Sequence, residues 1–180
     1  LRHDALADGG NADPTETYMT RGSRSNAVST RIDWQRGEWH LSAAYTRVTA
    51  DGRFLAPREW GREPFYTFMA RERIEGSGDS HSATLRAGWQ PAGGRWRAEV
   101  AYGHFYLPDV KNTALNKYGF PSFRQLNIDL KYTFGSDLKG LTMEALLVYK
   151  GSMGDTYGND KYVINKVGMI HYDLMLNYLF

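Results

Sequence analysis

The sequence predicts an all-β protein, specifically a transmembrane antiparallel β-barrel, and three observations support this. Apolar and polar residues alternate with a period of two in seven segments, as expected for strands with one apolar face. Short Gly-containing turns and long connections follow these segments in alternation, as in membrane barrels. Aromatic residues make up 14% of the chain, with 19 Gly and no Cys, a composition typical of strands and turns rather than of a disulfide framework.

The closing segment, residues 166–180, shows the alternation most regularly. Such a strand is longer than most soluble ones and suits a tilted membrane crossing. A terminal aromatic residue with apolar residues at alternate positions before it resembles the closing-strand signal of bacterial outer-membrane barrels. An edge strand of a soluble sandwich is the alternative for this stretch. The apolar face contains Ile170, Tyr172, Leu174, Leu176, Tyr178 and Phe180.

Six further strands form three hairpins, and tryptophans flank the first two turns at Trp34, Trp39, Trp89 and Trp96. Tryptophan at these positions is typical of an interfacial aromatic girdle. The predicted strands therefore cover residues 26–34, 38–48, 80–90, 95–106, 124–134, 141–150 and 166–180 of a single domain, residues 1–180.

The connections are asymmetric, with three short turns on one side and long loops at 49–79, 106–123 and 151–161 on the other. Barrels of the outer membrane have short periplasmic turns and long extracellular loops. Single-chain bacterial barrels also have even strand numbers. Either Glu16–Arg21 forms an eighth strand within an otherwise loop-like start, or the chain is the closing part of a larger barrel. The absence of a secretory signal at the start favours the second.

Alternation assigns the charged side chains to the lumen. If Ile32, Leu85, Val100 and Leu130 face lipid, the charged neighbours face inward, because a cation on the lipid face costs about 2–4 kcal/mol at the midplane. We expect these residues to line a pore in which the cations attract carboxylates; in a narrow barrel they would instead pair and fill the interior. The predicted pore-lining and solute-binding residues are Arg31, Arg86, Arg97, Lys131, Asp129 and Glu99, with Asp33, Glu144 and Asp173 on the same surface.

Three stretches carry a family resemblance. Residues 58–68, with 71–73 and 75–79, resemble the conserved loop of the OprD-type substrate-specific porins, and residues 117–132 and 140–150 are similar to the same family. The resemblance implies a barrel of about 18 strands, of which this chain forms the last seven, with a basic ladder that passes small carboxylate-bearing solutes such as amino acids. It also implies that the inward-folded constriction loops lie mostly upstream of this sequence.

The loop motif supplies a second group of candidate solute contacts, Arg58, Glu59, Trp60 and Arg62. Loops carry either function or local packing. The alternative is therefore that these residues only fold a surface loop over the aromatic residues beneath it.

An enzyme is the main alternative function, namely a small eight-stranded outer-membrane barrel of the lipid hydrolase type. His40 shares a face with Ser42, and His171 with Asp173, but no G-x-S-x-G motif occurs. No His spacing suits a metal site, and we expect no catalytic residue, metal or cofactor. The charged inner positions argue against a purely structural barrel.

These observations predict a porin of the bacterial outer membrane that works by passive diffusion. The expected partners are outer-membrane lipid and small anionic or zwitterionic solutes, with the protein as a homotrimer or a monomer. A net charge of +2 is too small to indicate nucleic acid.

Overall fold

The computed structural model describes residues 2–4, 22–55 and 63–180. They form one antiparallel sheet whose eight strands follow the chain order, so that β1 and β8 are its two edges. The predicted all-β fold is confirmed, and within these described residues the sheet is not closed into a ring. The strands are β1 (Arg2–Asp4), β2 (Arg24–Arg36), β3 (Trp39–Val48), β4 (Ser80–Trp89), β5 (Trp96–Tyr106), β6 (Phe123–Thr133), β7 (Leu141–Ser152) and β8 (Met169–Tyr178).

The strand ends differ from the predicted ends at several places. β8 begins at Met169 rather than at residue 166, because Asn165 (φ 59°) and Gly168 (φ 68°) have left-handed backbones that no strand accommodates. The loop-like start was also wrong in part, since Arg2–Asp4 pairs with Arg24–Asn26. The candidate strand Glu16–Arg21 lies outside the described residues.

The short turns all lie at one end of the sheet. The first is two residues long, because Arg36 and Trp39 are the last paired residues of β2 and β3. Gly37 occupies a left-handed conformation there (φ 56°), which the tight turn requires and glycine adopts without strain. The third turn contains a short 3₁₀ helix, Ser136–Leu138.

The two faces of the sheet differ sharply. On the apolar face, large side chains point into open space, with 78% of Ile32, 62% of Leu85 and 81% of Tyr172 exposed. Soluble proteins rarely expose such a continuous apolar surface. The opposite, polar face carries most of the charged side chains of the strands. Among the described residues, no helix is both long and apolar enough to span a bilayer.

The small hydrophobic core lies on the polar face, at the end of the sheet where the long connections emerge. Phe54, Phe65 and Met69 from the connection after β3 pack with Phe105 and Phe123 at the ends of β5 and β6. The rings of Phe105 and Phe123 stack with centroids 4.6 Å apart. The core therefore fastens a connection to the inside surface of the sheet.

Candidate functional site

The segment Glu63–Asp79, which we call the crossing loop, runs over the polar face. It begins above β2 and β3, where the Tyr66 amide donates to Ser29 Oγ at 3.0 Å. Thr67 Oγ1 lies 2.8 Å from Thr46 Oγ1, a buried contact between hydroxyls. The start of the crossing loop is thus held by uncharged polar side chains of two adjacent strands.

The middle of the crossing loop is held through its backbone carbonyls. Arg86 on β4 donates to the carbonyl of Phe68. The carbonyl of Ala70 accepts hydrogen bonds from Gln125 Nε2 at 2.7 Å and from Asn127 Nδ2 at 3.0 Å, both on β6. These side chains give the loop carbonyls the partners that buried backbone groups require.

The far end reaches the last two strands. Lys150 Nζ on β7 donates to the Arg71 carbonyl at 2.8 Å. Arg71 Nη2 lies 2.9 Å from Asp173 Oδ2 on β8. Residues 66–71 therefore contact the polar face from β2 to β8. This chain thus carries a loop that folds over the inner surface, in addition to the loops that the family resemblance places upstream.

Two buried carboxyl groups lie inside the crossing loop. Glu63 Oε1 accepts from the amides of Ile74 at 2.8 Å and Glu75 at 2.5 Å. Glu72 is only 7% exposed, and its Oε2 accepts from the Met69 amide at 3.3 Å. Burial raises the pKa of Glu63; burial, and then the charge of Glu63, raise the pKa of Glu72 well above its usual value.

A patch of charge occupies the polar face between the crossing loop and the short turns. The strand register places Arg97 directly opposite Lys131, and Glu99 directly opposite Asp129. The two cross-strand pairs thus form a positive rung, Arg97 with Lys131, next to a negative rung, Glu99 with Asp129. Like charges directly opposite each other are unfavourable. Ion pairs to Glu99 offset this: Arg97 of the positive rung lies 3.5 Å from it, and Arg86 of β4 lies 3.2 Å from it.

The predicted pore residues thus fall into two groups. Arg86, Arg97, Lys131, Glu99 and Asp129 form the charged patch on β4 to β6. Arg31 is separate: it lies 2.7 Å from Asp33 on its own strand, with its guanidinium 5.1 Å from the centre of the Tyr66 ring.

The cations of the charged patch differ in how exposed they are and in what they contact. Arg97 has a side chain that is 54% exposed, and Lys131 lies 3.9 Å from Glu144. With Arg95 and Thr133 they line a shallow depression of about 190 Å³. Arg86 is only 22% exposed and its guanidinium holds the crossing loop, so its geometry suits positioning better than solute contact.

Sequence reasoning missed the residues that anchor the crossing loop, chiefly Ser29, Thr46, Gln125, Asn127 and Lys150. All five occupy inward positions of the strand alternation, which is the signal that could have found them. The loop-motif candidates Arg58, Glu59, Trp60 and Arg62 lie outside the described residues.

The histidines of the polar face pair with carboxylates. His40 Nε2 is 3.1 Å from Asp33 Oδ1, and His171 Nε2 is 2.9 Å from Asp173 Oδ2. In the described parts of the chain, neither histidine hydrogen-bonds to a serine hydroxyl, as a nucleophilic triad would require. Nor do these parts contain a group of three or more His, Asp or Glu residues that could hold a metal ion.

Comparison with known proteins supplies a structural relative. No protein-family model and no curated protein matches the sequence. A solved structure that does match is OpdO from Pseudomonas aeruginosa. The two chains superpose with a TM-score of 0.60 at 18% identity, over 91% of this chain and 41% of OpdO. This likeness shows the fold, and the chain spans about two fifths of the length of OpdO.

Proposed function

We propose that the protein is an outer-membrane porin in which small solutes diffuse passively past the crossing loop. The observation that carries the proposal is the position of this loop, which is anchored on the polar face from Ser29 to Asp173. A loop folded over the inner surface of a barrel narrows the path and brings side chains into it. OpdO is a porin of the OprD family, which supports a channel role and a non-enzymatic one.

The apolar face supports placement in a bilayer. Its exposed residues extend over β2 to β8, and a barrel in the outer membrane presents such an apolar band to lipid. Lipid is therefore the first partner that we propose, with the long connections on the outside of the cell. As a porin the protein functions as a monomer or as a homotrimer.

The segregated charge favours solutes that carry a carboxylate, alone or together with an ammonium group. The Arg97–Lys131 rung attracts the carboxylate. The Glu99–Asp129 rung lies two residues away on each strand, on the side of the long connections. Two residues of strand correspond to about 7 Å. A small amino acid can contact both rungs in turn, so zwitterionic solutes are the class that the charged patch fits best.

The test is ion selectivity of the full-length protein in a planar bilayer under a salt gradient. Replacing Arg97 and Lys131 by Gln removes the positive rung and leaves Arg86 to hold the loop. We expect the reversal potential to shift toward cation selectivity and the flux of anionic amino acids to fall several-fold.

Arg36→Gln is the matched control, because Arg36 is an exposed cation at the turn end of β2 on the opposite face from Arg97. It should leave selectivity unchanged. A double variant that inserts normally but keeps the wild-type reversal potential would exclude the positive rung from the path. A protein that never conducts would refute the porin itself.

A further inference from the structure

The apolar face carries a polar patch that the solute path does not use. It lies at the end of the sheet next to the long connections, and we call it the rim cluster. The register pairs His81 with Tyr106 and His104 with Arg124, so the patch is continuous across β4, β5 and β6. The rim cluster consists of His81, Tyr102, His104, Tyr106, Arg124 and Tyr149.

Arg124 is the charged centre of the rim cluster. It lies opposite Gly151 of β7, and a Cβ added at Gly151 would lie 3.2 Å from Arg124 Nε and 2.9 Å from Tyr149 Oη. The guanidinium and the phenol hydroxyl therefore converge over the same glycine. Arg124 is exposed and makes no ion pair or side-chain hydrogen bond with the other described residues, so its donors point to solvent or to a ligand.

The hydroxyl groups of Tyr102 and Tyr106 lie at the same end of the apolar face and are held by His104. His104 Nε2 is 2.8 Å from Tyr102 Oη, and His104 Nδ1 is 3.5 Å from Tyr106 Oη. The ring of His81 stacks on that of Tyr106 with centroids 4.7 Å apart. The histidines thus orient the tyrosines, and a tyrosine that accepts from the His104 N–H keeps its own O–H to donate to an oxyanion.

Asp79, the acidic residue two positions before His81, is already paired. Asp79 Oδ1 lies 2.5 Å from Arg47 Nη2, and Arg47 Nη1 donates to the Ser80 carbonyl at 3.1 Å. Arg47 and Asp79 neutralise each other, whereas no residue in the described parts of the chain compensates the positive charge of Arg124. The rim cluster is therefore complementary to an anion.

We propose that the rim cluster binds the phosphate-bearing headgroup of a lipid in the outer leaflet, an inference that rests on the porin orientation proposed above. Arg124 donates to the phosphate with charge-assisted hydrogen bonds, and the tyrosine hydroxyls add further donors. The exposed Ile128 and Leu147, which are on the same face nearer the middle of the strands, contact the acyl chains. An arginine on a lipid-facing surface is tolerated at this level because the headgroups lie there.

The experiment measures binding of bisphosphorylated lipid A to the full-length protein by native mass spectrometry after purification in octyl glucoside. Arg124→Gln should weaken binding about tenfold, and Tyr149→Phe, which removes only a hydroxyl, should weaken it several-fold. Arg36→Gln, an exposed cation on the same face at the turn end, should bind as the wild type does. A dephosphorylated lipid A should bind weakly to every variant.

Unchanged lipid A affinity in both Arg124→Gln and Tyr149→Phe would overturn the proposal, as would equal binding of the dephosphorylated lipid. Displacement of lipid A by millimolar inorganic phosphate would also overturn it, since the site would then be one for the free ion. Arg124 faces away from the solute path, so its variant should conduct normally. Loss of lipid binding with normal conductance therefore supports the rim cluster, whereas absence of conductance in the wild type refutes the porin separately.

Discussion

The guanidinium of Arg71 lies 2.9 Å from the carboxylate of Asp173, a residue 102 positions further along the chain. This contact joins the crossing loop, which follows β3, to the last strand of the sheet. The Arg71 side chain is 52% exposed, and exposed ion pairs contribute only about 0–1 kcal/mol. The contact thus marks how far the loop reaches, while the buried anchors next to it supply the stability.

Lys150 is one of these anchors: it is only 3% exposed, and its ammonium donates to the Arg71 carbonyl. Lys150→Met should leave that carbonyl without its donor and destabilise the docked loop by about 1–3 kcal/mol. We expect faster tryptic cleavage after Arg71 and Arg73, measured by mass spectrometry. Lys139→Met, which alters an exposed lysine after the 3₁₀ helix, is the control. Equal cleavage rates in the two variants would contradict the anchoring role.

Gln125 and Asn127 both donate to the Ala70 carbonyl. Replacing both residues by Leu should leave this carbonyl without a hydrogen-bond donor. We expect the free energy of unfolding to fall by about 1–3 kcal/mol. The urea midpoint measures this loss, with folded protein scored as the band that migrates differently on gels of unboiled and boiled samples. Thr84→Val provides a contrast on the same face: Thr84 Oγ1 is buried without a partner among the described residues, so this change should be neutral or stabilising. A larger loss from Thr84→Val than from the double variant would refute the assignment.

The crossing loop should be held more tightly in acid than in base. Burial raises the folded-state pKa of Glu72 and Glu63 above the ordinary value of 4.5. Their stabilising contribution is therefore complete below pH about 4.5 and is lost as the pH rises through the raised folded-state pKa. A spin label at the exposed position Tyr66 should accordingly become more mobile as the pH is raised above about 4.5.

Glu72→Gln keeps the neutral form at every pH and should reduce this pH dependence. Glu75→Gln, in the same loop, is the matched control and should retain it. If the label in the Glu72→Gln protein responds to pH as fully as in the wild type, the buried carboxyl is not the titrating group.

Gly103 of β5 lies directly beneath Met69 of the crossing loop. A Cβ there would lie 2.8 Å from Met69 Sδ and 2.6 Å from the Phe105 ring, so Gly103→Ala should cost about 1–3 kcal/mol through overpacking. Gly93→Ala, in a turn where nothing lies within 4 Å of the added Cβ, should be nearly neutral or slightly stabilising. The urea midpoints of the two variants measure the difference, and equal midpoints would show that the loop does not pack against Gly103.

Alternation predicted which face each strand residue occupies, and in this way it placed Arg97, Glu99, Asp129 and Lys131 together. Their surroundings were less predictable. The direct opposition of Arg97 and Lys131 depends on the register between β5 and β6, and a shift of two residues would keep every residue on its face while changing its partner. The different roles of Arg86 and Arg97 depend on a loop that packs against only one of them.

The sequence by itself determined the all-β class, the order of the seven long strands and the two faces, because a period of two is a local property that each strand displays independently. Only the tertiary structure decided that the crossing loop lies on the polar face. That position depends on Gln125, Asn127, Lys150 and Asp173 reaching a loop 55 to 102 residues earlier in the chain. Contacts across such distances form only when the strands between them have paired, so no local pattern reports them.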